Sequence, residues 1–202
     1  CLFDVDLDCT EALKAAPYFL PNTKTFGRAS APNSHWLFYA HNTDARRLAF
    51  ADPTAPKEDA MLTELRGTGA QTVFPSSTHP SGERIEWHST HEVQSLDFQD
   101  LSFRVACIAS ASLLARHRSD GIRHETALLI SGGLCHAGWS EGDIIRFVEA
   151  VSVASGDTDT KGKIKDAQDT IKRFKEGKDV KGFTGLKDVI SGLVVEKVRE
   201  WL

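Results

Sequence analysis

The chain opens with strict alternation of apolar and acidic residues, Phe3-Asp4-Val5-Asp6-Leu7-Asp8. A period of two predicts a strand with its acids on one face. Short runs of the same kind recur up to about residue 95. They place strands at Leu2–Leu7, Thr23–Gly27, Ser34–Ala40, Met61–Arg66, Gln71–Phe74 and Arg84–Trp87. One helix is expected among them, over Thr10–Tyr18, with Thr10 as its cap ahead of Glu11-Ala12-Leu13-Lys14. Pro21-Asn22, Ala31-Pro32-Asn33 and Ser81-Gly82 read as turns.

From about Phe98 the period changes to three and four. Phe103, Ala106, Ser110, Leu113 and Leu114 form one stripe, and Ala127, Ile130 and Leu134 another. Ile144, Phe147, Val148 and Val151 follow Ser140, an N-cap with Asp143 three residues later. Ile164, Ile171 and Phe174 mark a further helix, and Val194, Val195, Val198 and Trp201 the last. Gly132-Gly133, Gly156 and Gly182 read as stops. The polar, acidic stretch His91–Asp100 separates two regions, residues 1–95 and 96–202. The expected fold is α+β: a strand-rich first half followed by an all-α helical bundle.

The 202 residues suit one large domain or two small ones, with ordinary apolar and charged fractions of 41% and 26%. No apolar run approaches the ~18–20 residues of a membrane helix. No basic-then-apolar leader is visible, so the expected location is the cytoplasm, or the host compartment of a virus or plasmid, and not the secreted space. Beginning at Cys1 in strand-like sequence, the chain reads as a fragment. Cys1, Cys9, Cys107 and Cys135 lack CxxC spacing, which argues against a zinc site and a disulfide framework. Net charge is −4, so the whole chain is not a basic nucleic-acid binder. Residues 161–181 nevertheless hold eight Lys/Arg against four Asp/Glu. Within that segment Lys161, Lys163, Lys165, Lys172 and Arg173 are candidate phosphate contacts; the alternative is a solvated helix face.

The candidate chemistry starts from Asp4 and Asp6, whose Cα atoms would lie roughly 6–7 Å apart on one strand face. If the Met61–Arg66 strand lies beside them, Glu64 joins the pair. Three crowded carboxylates repel unless cations neutralise them, and Mg²⁺ or Mn²⁺ suits such a set. Phosphoryl or nucleotidyl transfer uses that arrangement. The bland alternative is a solvated acidic face. Asp8 shares the parity of Asp4 and Asp6 and could extend the cluster, but at the end of the strand it reads as a turn or capping residue. His35, at the start of an apolar strand, is either a triphosphate donor near Arg28 and Ser34 or a structural edge histidine. Ser76, Ser77, Thr78 and His79 lie in a turn-rich stretch that is either a phosphate cradle or a plain loop, with Arg66 just upstream. His41, His88, His91, His117, His124 and His136 show no ligand spacing.

Taken in order, Asp4-Val5-Asp6, Ser34-His35, and Glu64-Leu65-Arg66-Gly67 with Pro75–Glu83 and Trp87 resemble the three motifs of the primase–polymerase branch of the archaeo-eukaryotic primase superfamily. Leu20-Pro21-Asn22-Thr23 and Phe26-Gly27-Arg28 resemble members from mobile elements and viruses. Arg123–Leu128, Gly138-Trp139-Ser140-Glu141, Thr184–Lys187 and Val198–Leu202 are similar to the helical C-terminal domain of such proteins. The resemblance implies an RRM-like catalytic half-core that makes or extends primers. It implies catalytic Asp4, Asp6, Glu64 and His35, with Asp4, Asp6 and Glu64 as ligands of Mg²⁺ or Mn²⁺. His35 would meet the triphosphate of an NTP or dNTP, with Arg28, Ser34, Arg66, Ser76, Ser77 and His79 as further nucleotide contacts. A single-stranded DNA template and a fused or separate helicase are the implied partners. The third acid is often Asp in the family, and glycines often precede its His, where Pro32, Asn33 and Ser34 stand here. Family cores also carry an N-terminal unit ahead of the first motif. Two rivals stand beside this reading: a non-catalytic module binding origin or single-stranded DNA, and a metal-dependent nuclease. A nuclease of the His-hydrophobe-His type is disfavoured, since neither Tyr18 nor Tyr39 lies near a His pair.

Overall fold

The computed structural model describes residues 1–41 and 47–202. Seven strands are seen: β1 (Leu2–Leu7), β2 (Lys24–Arg28), β3 (Ala31–His41), β4 (Leu48–Ala51), β5 (Met61–Arg66), β6 (Glu86–Trp87) and β7 (Gln94–Asp97). The helices are α1 (Thr10–Phe19), α2 (Phe98–Arg116), α3 (Arg123–His136), α4 (Glu141–Ala154), α5 (Thr160–Lys175), α6 (Phe183–Leu186) and α7 (Gly192–Trp201). The strands make one sheet in the order β4-β5-β1-β3-β2-β6, antiparallel throughout. β7 runs parallel to β3 beyond the last residue that pairs with β2. The fold is α+β.

Alternation along β1 sends Phe3, Val5 and Leu7 to one face, where helices cover them. The Phe3 ring meets Phe98, at the start of α2, with centroids 5.3 Å apart. From Val105 to Ala115 α2 is buried on every side, so this stretch has no polar stripe. One cluster of buried side chains runs from Phe3 through α2 to Val198 of α7. Phe50 of β4 packs edge-on against Trp201 at 5.3 Å. The change of pattern near residue 95 is therefore a change of secondary structure within a shared core. The other sheet face carries Asp4 and Asp6, and residues 67–93 run over part of it, with Ile85 and Val93 packed on Phe26 and Leu37.

Several expectations need correction. Thr10 is the first helical residue; Cys9 holds the cap position of α1 without a side-chain hydrogen bond. The β2–β3 reversal is at Ala29-Ser30, because Arg28 pairs with Ala31. Asn33, read as part of that turn, lies within β3 with φ 55°, beside a register shift in β2. Gln71–Phe74 is not a strand, and of the Arg84–Trp87 run only Glu86–Trp87 is a strand, Arg84 making an isolated antiparallel bridge to Thr78. Gly132 and Gly133 do not stop α3. They let another segment approach: a Cβ on Gly132 would lie 1.9 Å from the Lys181 carbonyl oxygen. β4 and β7 escaped prediction since Leu-Ala-Phe-Ala and Gln-Ser-Leu-Asp have no alternating signal. All four cysteines are unpaired, and among the described residues no helix is long and apolar enough to cross a membrane.

Candidate active site

Antiparallel register aligns side chains across strands on one face. Asp6 faces His35 on β3 and Glu64 on β5. His35 in turn faces Phe26 on β2, and Phe26 faces Trp87 on β6. One row therefore crosses the sheet as Glu64–Asp6–His35–Phe26–Trp87. The row beside it runs Arg66–Asp4–Leu37–Lys24. Residues remote in sequence thus meet because β1 is the central strand between β3 and β5.

The contacts are dense. His35 Nδ1 donates to Asp4 Oδ2 at 3.0 Å and lies 3.4 Å from Asp6 Oδ1. Thr72 Oγ1 donates to the same Asp4 oxygen at 2.7 Å. Arg66 bridges Asp6 Oδ2 at 2.5 Å and Glu64 Oε2 at 2.6 Å, and Arg47 pairs with the other Glu64 oxygen. Carboxylate oxygens of Asp6, Asp8 and Glu64 lie within 4.8 Å of one another. Asp4, Asp6 and Glu64 are buried, whereas Asp8 stands exposed. Asp8 was expected to turn or cap the chain; its carboxylate belongs to the cluster instead.

Electrostatics separate these acids. Burial pushes Asp6 up to about 7, reinforced by the charges of Asp8 and Asp4 and opposed by His35 and Arg66. Asp8 is raised as well, chiefly by burial of its carboxyl and then by Glu64. Burial also acts to raise Glu64, but hydrogen bonds from Arg66 and Arg47 outweigh it and hold it below the ordinary range. For His35 burial favours the neutral ring, yet the Asp4 hydrogen bond and the Asp4 and Asp6 charges raise it overall.

The donor set fits a hard divalent cation: clustered oxygens, with buried Asp4 Oδ1 lacking any partner. Without an ion, Arg47, Arg66 and His35 supply the compensating positive charge.

A hollow of about 560 Å³ opens beside the cluster. Asp6, Asp8, Arg28, Ser34, His35, Arg66 and His79 all line it. Gly27 lines it too, and a Cβ there would meet the Ala31 carbonyl oxygen at 2.4 Å. Ser76 and Ser77 are not among the lining residues. Their backbone builds the loop, with Ser76 at φ 78° and Ser77 bonded to Phe74 and Ile85. His79 Nδ1 is engaged by Ser81, and Glu83 accepts from Ser30 and Ser81 while pairing with Arg28 at 3.4 Å. A larger hollow of about 690 Å³ lies between α3, residues 180–185 and α7, but Asp188 is the sole side-chain carboxylate on its described lining.

Far from the sheet site, Lys161, Lys165, Lys172 and Arg173 are exposed on α5. Lys163 is not: it is buried and bonds Asp159 at 3.2 Å, which removes it from the phosphate candidates. Sequence reasoning set Asp8 aside as a turn or cap, and it missed Arg47 and Thr72. Asp8 shares the parity of Asp4 and Asp6, a signal that was present. Arg47 and Thr72 sit outside any periodic run and carried none. No family model, curated protein or solved structure matches this chain.

Proposed function

We propose that this chain is a metal-dependent nucleotidyltransferase of the primase–polymerase kind, built on an RRM-like half-core. It adds NTP or dNTP units to a primer end or an initiating nucleotide along a single-stranded DNA template. The observation that carries the reading is the row Glu64–Asp6–His35, with its acids clustered at the mouth of a hollow lined by cationic groups.

Asp6 and Glu64, with Asp8 or Asp4 beside them, would hold Mg²⁺ or Mn²⁺. The bound ion would lower the pKa of an attacking 3′-hydroxyl and neutralise charge on the leaving pyrophosphate. His35, oriented by Asp4 and with its pKa raised by the surrounding acids against the effect of burial, would donate to a phosphate oxygen. Ser34 and His79 offer further donors from the hollow's walls. Arg28 becomes available to an anion once Glu83 releases it. Gly27 keeps the β2–β3 ribbon close enough for backbone to approach the ligand.

The test is primer extension with Mn²⁺ on a single-stranded template, comparing the wild type with Asp6→Asn. Extension by the wild type and its loss in the variant are expected. Undiminished extension in Asp6→Asn ends the metal assignment. A specific observation favours a second reading, a non-catalytic single-strand binding module: Arg47 and Arg66 already neutralise Glu64 and Asp6 without any ion. Such a module binds strands equally well in chelator and gains no nucleotide affinity from Mn²⁺.

A further inference from the structure

The row through the acids continues past His35 into aromatic rings. Phe26 is fully buried and stacks on the His35 imidazole, with centroids 4.5 Å apart and planes 6° from parallel. Phe74 stacks on Phe26 at 5.2 Å, and Trp87 meets Phe26 edge-on at 5.4 Å. Phe26 is thus a rigid backing for two outer rings. Those outer rings are open to solvent: Phe74 is 39% exposed and Trp87 47%. Lys24, on the same sheet face, holds its ammonium 5.0 Å from the Trp87 ring centre. Arg84 and His88 are exposed close by in sequence, while Glu86 alternates to the opposite face.

Phe26 thus holds Phe74 face-on and Trp87 edge-on, the outer rings lying 6.3 Å apart and tilted by 55°, and exposed rings so fixed beside the Lys24 ammonium suit one partner better than others. Unpaired bases stack on aromatic faces whatever their sequence, and lysine or arginine follows the phosphates. Protein partners also anchor on exposed aromatic rings, so it is the Lys24 ammonium beside Trp87 and the continuity of the row with His35 that favour a phosphate-bearing strand.

We propose that Phe74 and Trp87 form a base-stacking platform which, with Lys24, holds single-stranded nucleic acid alongside the candidate active site. Two ring contacts separate Trp87 from His35, so a base seated there lies next to the nucleotide hollow. The identity of the strand as a template rests on the nucleotidyl-transfer reading; the stacking does not.

The experiment measures fluorescence anisotropy of a labelled 12-nucleotide oligo(dT) with the whole chain in EDTA. Trp87→Ala and Phe74→Ala each weaken binding about tenfold, the effect of losing one stacked base. Trp87→Phe keeps most of the affinity. Thermal unfolding is expected to be unchanged for Trp87→Ala because the ring is half exposed. Wild-type affinity in both alanine variants, or absence of oligonucleotide binding by the wild type, overturns the proposal. So does a change in self-association with strand affinity untouched. Mn²⁺-dependent extension by the wild type is scored separately. Trp87-dependent binding without extension removes the polymerase reading and keeps the platform. Extension with binding indifferent to Trp87 removes the platform alone.

Discussion

Asp6→Asn should make the metal-free protein more stable while abolishing the nucleotidyl transfer proposed for it. The folded chain keeps a proton on Asp6 up to about pH 7, whereas the ordinary value is 3.8. Between those values the folded state binds the extra proton, so stability falls as pH rises through the window and stays low above it. Three units at 1.36 kcal/mol each give a penalty of about 4 kcal/mol at pH 8. Asn mimics the neutral acid and escapes the penalty. Because the penalty builds up with pH, the advantage of Asp6→Asn shrinks to under about 2 kcal/mol at pH 5. The assay is urea unfolding in EDTA at both pH values. With a slope of about 2–3 kcal/mol per M, the variant's midpoint at pH 8 exceeds the wild type's by about 1.3–2 M. Adding Mn²⁺ raises the wild-type midpoint by mass action and leaves the variant where it was. Equal midpoints at pH 8, or a gap of the same size at pH 5, would refute the claim that ionising Asp6 strains the apo fold.

Four further outcomes are expected. Gly132→Ala drives a Cβ into the Lys181 carbonyl and should cost about 1–3 kcal/mol in urea unfolding, although alanine favours helix. Gly142→Ala in α4, with nothing within 4 Å, should instead gain about 0.5–1 kcal/mol. Burial acts to raise Asp52, but hydrogen bonds from Thr54 and His117 outweigh it and hold the acid below its usual range. Its stabilisation is therefore present above pH ~4 and lost as pH falls through the depressed value. Asp52→Asn should cost about 1.5–3 kcal/mol at pH 7 and flatten the acid limb of a pH titration of stability. Replacing Lys161, Lys165, Lys172 and Arg173 together by alanine should leave stability unchanged and lower the salt slope of oligonucleotide binding by at most about 3. An unchanged slope removes α5 from the interface.

The sequence revealed strands wherever one face is buried and the other polar. β1 carries that pattern, and its observed bounds coincide with the predicted Leu2–Leu7; β5 also has its predicted bounds, Met61–Arg66, though its alternation is broken, with buried Leu62 on the face of Glu64 and Arg66. It concealed β7, whose residues are mostly polar and whose pairing with β3 is a tertiary event. It also misread Gly132-Gly133, because a close approach by residues 181–183 leaves no trace in local composition. The same limit applies to the site. Parity placed Asp4 and Asp6 together, yet only the β1–β5 register brings Glu64 opposite Asp6 and Arg66 opposite Asp4.

That register decides which acid flanks Asp6 in the ion-binding set, and the answer departs from the motif. Asp4 Oδ2 is committed to His35 and Thr72, and no oxygen of Asp4 falls in the 4.8 Å group. Asp8 falls in it, at the exposed edge through which an ion enters. On the proposed metal reading, Asp4 would act by holding His35, and Asp8 by holding the cation. Manganese titration followed by electron paramagnetic resonance separates the roles. Asp8→Asn should weaken Mn²⁺ binding by about tenfold or more, as expected for loss of a carboxylate ligand worth about 1.4 kcal/mol or more. Asp4→Asn should change Mn²⁺ affinity less and instead lower the pKa of His35, read by NMR, because it loses a charged hydrogen-bond partner. If Asp4→Asn weakens the ion more than Asp8→Asn does, the DxD pair of the motif holds the metal, and the side-chain arrangement seen here must rearrange when the ion binds.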